Sequence, residues 1–275
     1  MWPLSRPPVV PVLRFTGPIG MTTPLRPGLS IAGAAAPIER AFALSKTPAV
    51  AVIVNSPGGS PVQSSLIFQR VRQLAAEKQK KVYVFCEDVA ASGGYYLAVM
   101  GDEIYADACS IIGSIGVITA GFGFDKAIER LGIERRVYTA GVNKSTLDPF
   151  RPESPEEVER LKAILTDAHS AFIGIIKERR AGRLKGPDEE LFSGAFWAAP
   201  KALDYGLIDG IADVRSKMRS LFGDKVRLKL VSMGERGLVA KLRRTEQHVG
   251  LGPTSLADDA ISAVETRALW SRYGL

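Results

Sequence analysis

Histidine is almost absent from this chain: His169 and His248 are the two among 275 residues. A serine nucleophile here would therefore have to find its base elsewhere. Cysteine is equally scarce. Cys86 and Cys109 lie in apolar surroundings without metal-ligand spacing, which fits a reduced compartment better than a disulfide framework, and both read as core residues. Long apolar runs are missing too. Windows such as PAVAVIVN (48–55) are strand-length, far short of the roughly 20 residues that cross a bilayer. The N-terminal stretch MWPLSRPPVVPVLRF is broken by Pro3, Pro7, Pro8 and Pro11, so no secretory leader is visible. The net charge of +7 comes from scattered residues, and KQKK (78–81) or KLRR (241–244) is too short for a nucleic-acid groove. These absences predict a soluble or membrane-peripheral chain with no nucleic-acid partner.

What is present is a globular composition, 46% hydrophobic, enough for a sizeable core. From residue 8 to about 140, strand-like runs (VVPVLRFTG, AVAVIVN, KVYVFCE, EIYAD, IIGSIGVI) alternate with helical patterns (SIAGAAAPIERAFALS, VQSSLIFQRVRQLAAE, GGYYLAVMG). Such alternation predicts an α/β fold with a largely parallel sheet. Leu66, Ile67, Val71, Leu74 and Ala75 recur at helical spacing and predict one face packed on that sheet. Residues 141–155 read as a loop, followed by a long helix to about Arg180 that Ser154 and Glu157 would open as a capping box. On that helix His169 reads as a structural histidine. Residues 191–213 predict a helix ending at Gly206 and a strand-like LIDGIA. Beyond Glu235 the pattern weakens. The division expected is a main domain over 1–234 and a C-terminal helical extension over 235–275, with Ala257, Ala260, Ile261, Val264 and Ala268 on one stripe.

Two glycine turns sit at strand-to-helix corners: NSPGGS (55–60), and Ser92-Gly93-Gly94 within CEDVAASGGYYLAVMGD (86–102). Two glycines at a helix start are costly unless something must approach closely. Free backbone N–H groups at such corners can hold an oxyanion, and parallel strands bring their C-terminal ends to one edge. Ser92 is thus a candidate nucleophile, with the N–H groups of Gly93 and Gly59 as candidate oxyanion donors. For a base, a lysine held neutral by desolvation can replace histidine. Lys144, beside Ser145 and Thr146, is the best placed. Ser56, Ser60 and Ser114 read as turn or pocket-lining residues, and Asp88 and Asp148 as structural ones.

VNSPGGS (54–60), ASGGYYLA (91–98), IIGSIGV (111–117), NKSTLDPF (143–150) and FSGAFWAAPKALDYGLID (192–209) together resemble the bacterial signal peptide peptidase A (protease IV) family, in the family's order and over roughly residues 8–215. The resemblance implies a Clp protease/crotonase-like fold built from repeated ββα-type units. It implies a Ser/Lys dyad of Ser92 and Lys144 that cleaves peptide bonds, typically in signal peptide remnants, without metal or cofactor. It also implies a homo-oligomeric ring in which the dyad is completed across a subunit boundary. A substrate strand is expected along Gly58, Ser114, Ile115 and Gly116, with a preference for small or apolar side chains. Location in the cytoplasm, or peripheral to the inner membrane, follows from the missing anchor.

Two other readings remain at this point. A crotonase-like acyl-CoA enzyme would bind CoA and leave Ser92 unlabelled by phosphonates. A non-catalytic oligomeric scaffold would tolerate loss of Ser92 or Lys144.

Overall fold

Alternating strand and helix patterns build one α/β unit, seen in a computed structural model that describes residues 7–20, 28–141, 143–233 and 263–275. In chain order the elements are β1 (Val9–Thr16), α1 (Ile31–Ala43), β2 (Ala49–Ser56), α2 (Pro61–Glu77), β3 (Lys81–Ala91), α3 (Gly93–Ala98), β4 (Glu103–Ala106) and β5 (Ile111–Gly113). There follow α4 (Asp125–Arg130), α5 (Pro155–Arg179), α6 (Asp188–Leu191), β6 (Phe196–Ala198), α7 (Ala199–Asp204), β7 (Gly210–Ile211), α8 (Val214–Phe222) and β8 (Arg227–Leu230). The sheet runs β6-β5-β3-β2-β1-β8, with β4 beside β3 and β7 beside β4. Every pairing is parallel except β5 with β6. The largely parallel sheet expected from the alternation is therefore present.

Strand β2 shows why the order is stable. All of AVAVIVNS is buried, because helices cover both faces of the sheet. On one side Val50, Val52 and Val54 pack with Ile38, Ile67 and Val71; on the other Ala49, Ala51 and Ile53 pack with Phe85, Tyr105 and Met218 of α8. Each buried Val or Ile side chain contributes about 1.5–3 kcal/mol, which outweighs the weak local preference of a short strand.

Strand β3 carries the feature that places the site. Its register against β2 passes from Val54↔Cys86 to Ser56↔Ala90, so Glu87 and Asp88 bulge out. Below the bulge β3 pairs with β4, and above it with β5. Asn55 holds the kink, with Nδ2 donating to Asp88 Oδ2 at 2.5 Å and Oδ1 accepting from Val89 N–H at 3.3 Å. Arg14 adds an ion pair to Glu87. The bulge turns residues 89–91 away from the main ladder and delivers Ser92 at the strand's end.

Several expectations are corrected. The strand expected over IIGSIGVI ends at Gly113, since Gly113 and Ser114 both have positive φ, 117° and 51°. Leu66 lies off the packed stripe of α2 and is 39% exposed, while Ile67, Val71, Leu74 and Ala75 are buried as expected. Cys109 is exposed on the turn before β5; Cys86 is buried, and burial pushes its thiol up to about 12. Ser154 begins α5 without a side-chain cap, and the Glu157 carboxylate accepts from the Leu147 N–H at 2.8 Å, so neither half of the expected capping box forms. The helix expected to end at Gly206 is the short α7, and of LIDGIA only Gly210–Ile211 joins the sheet. His248, Ala257, Ala260 and Ile261 lie outside the described residues. Residues 263–271 are helical, with Val264 and Ala268 exposed, and the contact with the body is made beyond the helix by Tyr273, whose ring meets Phe196 at 5.0 Å.

Between Gly116 and Ala171 no described residue is buried. This stretch exposes Ile118, Phe122, Leu131, Ile133 and Tyr138. Several of its contacts lie within itself: Phe124 stacks on Phe150 at 5.6 Å, and Arg135 reaches Asp148 at 3.1 Å. Among the described residues, no helix is long and apolar enough to cross a membrane.

Candidate active site

Ser92 occupies the turn between β3 and α3 with φ 54° and ψ −123°, a conformation that costs a non-glycine residue about 1–3 kcal/mol. Its neighbours enforce it. The Ser92 N–H donates to the Gly113 carbonyl at 2.8 Å, and its own carbonyl accepts the first bond of α3, from Tyr96 N–H at 3.0 Å. The hydroxyl accepts no capping bond from the helix and is half-buried. Helix capping therefore does not account for a serine here. A sharp, strained strand-to-helix turn of this kind is the setting in which nucleophile elbows place their hydroxyl.

The NSPGGS turn packs against this corner. A Cβ built at Gly58, where φ is 104°, would lie 2.8 Å from Ser92 Cβ and 2.9 Å from Gly93 N, so a side chain at 58 has no room. Gly94 is excluded from bearing one by the Ser56 carbonyl oxygen, 2.2 Å from where its Cβ would be. The turn is tied down on its other side: Ile19 N–H donates to the Gly58 carbonyl at 2.9 Å, and Ser60 N–H donates to the Ile19 carbonyl at 2.8 Å. In such a parallel bridge the middle residue, Gly59, points its own N–H away from Ile19. That nitrogen lies 3.3 Å from where a Gly93 Cβ would be. Gly58, Gly59, Ser92 and Gly93 are thus brought together. Ser56, beneath them, donates to the Gly17 carbonyl at 2.7 Å and accepts from Gly58 N–H at 3.2 Å; Ser60 caps α2 through Gln63 N–H.

The segment Ser114–Gly116 continues from the Gly113 that holds Ser92. Ser114 N–H donates to the Ala195 carbonyl at 2.7 Å, and Gly116 N–H to the Ser114 carbonyl at 3.0 Å. Ile115 is buried, and its carbonyl lies 3.1 Å from His169 Nε2. From Gly116 onward the backbone belongs to no strand or helix up to Phe124.

Among the described residues, Lys144 makes no hydrogen bond to this corner. It lies exposed in the turn 143–147, with its N–H on the Gly141 carbonyl at 3.2 Å. The desolvated lysine expected from the sequence is therefore not formed within one chain. Its turn is nonetheless well fixed, by Thr146 Oγ1 on the Asn143 carbonyl at 2.7 Å and by Glu157 on Leu147 N–H. Asp148 accepts from Phe150 N–H and from Arg135; that backbone bond first, then the guanidinium, holds its carboxyl below the usual value. Asp88 is held by Asn55 and Asp148 by Arg135.

A cavity of about 550 Å³ lies elsewhere, lined by Phe85, Glu87, Asp107, Cys109, Val214 and Leu275 among others. Its acidic members already have partners. Glu87 pairs with Arg14, Asp107 accepts from Cys109 N–H, and Asp213 caps α8.

Comparison with known proteins gives this geometry a context. Residues 75–225 match the family described as Peptidase family S49. A Haemophilus influenzae protein named Protease 4 is 30% identical over 63% of this chain and 28% of its own length. The chloroplastic serine protease SPPA of Arabidopsis thaliana is 33% identical over 60% of this chain and 24% of its own. A Brucella abortus protein bearing the name Na(+)/H(+) antiporter NhaA is 53% identical over 97% of this chain, which corresponds to 37% of that protein. The chain thus spans well under half the length of these relatives. The antiporter name is not carried over, since the match covers only 37% of that protein.

Proposed function

The chain belongs to peptidase family S49, with the ClpP/crotonase-like fold of that family, and on that premise we propose that it is a serine endopeptidase with Ser92 as nucleophile and Lys144 as general base. In this reading the Lys144 amine takes the hydroxyl proton as Ser92 Oγ attacks the scissile carbonyl carbon. The N–H groups of Gly59 and Gly93 hold the oxyanion, and each such donor is worth about 10²–10³ in rate. Collapse expels the amine product, which receives the proton from the Lys144 ammonium. A water then gives its proton to Lys144 as it attacks the acyl carbon, and the bond to Ser92 Oγ breaks as the Lys144 ammonium returns that proton to the serine oxygen, releasing the acid product.

The observation that carries this reading is the Ser92 corner: a strained serine whose hydroxyl caps nothing, pressed against Gly58 and beside the N–H of Gly59. A bland turn would have relaxed or used the hydroxyl. Lys144 enters from a neighbouring copy. Its exposure on a stretch without a buried residue of its own supports that assembly, because a base lysine must be desolvated and only another surface can do it. The substrate is an extended peptide lying beside Ser114, Ile115 and Gly116, with small or apolar side chains at the cleavage site. Signal peptide remnants or other unfolded and membrane-derived peptides fit, met in the cytoplasm or at the inner-membrane surface.

The test is hydrolysis of casein by the wild type, Ser92→Ala and Lys144→Ala, with oligomeric state measured on the same samples. Activity in the wild type alone, with all three assembled alike, supports the dyad. Activity that survives both changes rejects it and favours a scaffold or acyl-CoA chemistry.

A further inference from the structure

We propose that His169 is a positioning residue of this site, holding the Ser114–Gly116 segment in the shape that receives substrate; the inference rests on Ser92 being the nucleophile. His169 sits on α5 one turn before Phe172, on the same helix face. Phe172 is buried and stacks on Tyr96 of α3 at 5.1 Å, so α5 is fixed against the helix that Ser92 begins. From that anchored face His169 Nε2 reaches the Ile115 carbonyl at 3.1 Å. A carbonyl can only accept, so Nε2 carries the proton and donates.

The segment it holds is one that needs holding. Gly113 has φ 117° and Ser114 φ 51°, and positive φ at a serine persists only where its surroundings over-determine it. The bonds from Ser92 N–H to Gly113 and from Ser114 N–H to Ala195 fix the near end, toward the sheet. The Ile115 carbonyl, one residue further out, is fixed from α5 by His169. Past it the backbone runs on without a strand partner, where an extended peptide would pair. The bond therefore bears on substrate capture more than on the serine itself, whose own contacts come from β5, α3 and the NSPGGS turn.

The experiment compares His169→Gln, His169→Asn and His169→Leu with the wild type and Ser92→Ala. It measures kcat and KM on a fluorogenic peptide of about ten residues, and the rate at which a small fluorophosphonate labels Ser92. A glutamine amide can place its nitrogen near that of Nε2; asparagine is too short and leucine has no donor. The expected result is a KM raised about three- to tenfold in the Leu and Asn variants, the loss of one hydrogen bond, with kcat within about twofold. Gln should restore wild-type KM, and labelling should be equal in all three. An unchanged KM in the Leu and Asn variants, a Gln variant as impaired as Leu, or a loss confined to kcat and labelling overturns the proposal. If the Leu variant does not fold, Gln against Asn decides by the same criterion. Hydrolysis undiminished in Ser92→Ala overturns instead the nucleophile assignment on which the proposal stands.

Discussion

Gly58 is packed so tightly on Ser92 that a methyl group added there would sit 2.8 Å from the Ser92 Cβ and 2.9 Å from the Gly93 nitrogen. One of the two corners must then move, and φ of 104° adds backbone strain for any L side chain. Gly58→Ala should therefore displace Gly59 N–H from Gly93 N–H and lower kcat about a hundredfold, the scale of a lost oxyanion donor. Peptide hydrolysis, read beside a thermal melt that shows the variant folded, checks this. A folded Gly58→Ala enzyme with wild-type turnover would remove the oxyanion assignment.

In the assembly proposed above, Ser92, half-buried at the end of β3, meets the Lys144 of a neighbouring copy, a residue exposed on a separate stretch. Two inactive variants should then complement each other. Co-folding Ser92→Ala with Lys144→Ala in equal amounts should restore about a quarter of wild-type activity, the share of boundaries that receive both native residues on random mixing. Assembled mixtures with no recovered activity would place both residues of the dyad in one subunit.

The same stretch exposes Phe122 at 82%, Leu131 at 73% and Tyr138 at 90%, more apolar surface than isolated scattered residues leave. Leu131→Glu should weaken assembly while leaving the sheet intact, since Leu131 touches none of its core. Sedimentation should show smaller species with unchanged circular dichroism, and activity should fall in proportion to the assembly lost. Intact oligomers in Leu131→Glu would move the interface to another face.

How much of this was legible in the sequence depended on the range of the interactions. Strands β1 to β3 and helices α1, α2 and α5 could be read because each repeats its period over several turns or pleats, whereas the short β4 and α3 could be read only from their place in the strand–helix alternation. Strands β6 and β8 could not: FWA and RLKL are too short to show a period and pair only because neighbours present an edge. At the site, the Ser92 corner was readable from two local glycine turns. The early end of β5 was not, because it follows from Gly113 meeting Ala195 and Trp197 from far along the chain. Nor was the role of Glu157, whose spacing from Ser154 suggested a cap but whose carboxylate is drawn to the Leu147 N–H. His169 looked structural because a sequence does not show which carbonyl faces a helix.

Acid should reach the Ser92 platform through Asp209. Arg180, 1% exposed, donates to the Gly206 carbonyl and to Asp209 Oδ2 at 2.8 Å, and Asp209 also accepts from Ile104 N–H at 2.7 Å and from Arg183 at 3.0 Å. Burial alone would raise the Asp209 carboxyl, but the hydrogen bond and charge of Arg180, with the Ile104 N–H and Arg183, outweigh it and hold the group below its usual value. A carboxyl depressed in the folded state contributes stability in full above its unfolded value, about 3.9, and that contribution is lost as pH falls below it. The loss should reach the site, because Tyr95, three residues past Ser92, donates its hydroxyl to the Leu207 carbonyl within the same turn at 2.7 Å. Asp209→Asn removes the titrating group and leaves the Arg180 charge buried without its partner, a cost on the order of 3 kcal/mol near neutral pH. The variant should therefore melt lower at pH 7, and its stability should change less than the wild type's between about pH 4.5 and 2.5. Melting curves across that interval check both parts. Parallel pH profiles for the two proteins would mean that another carboxylate, and not Asp209, carries the acid response.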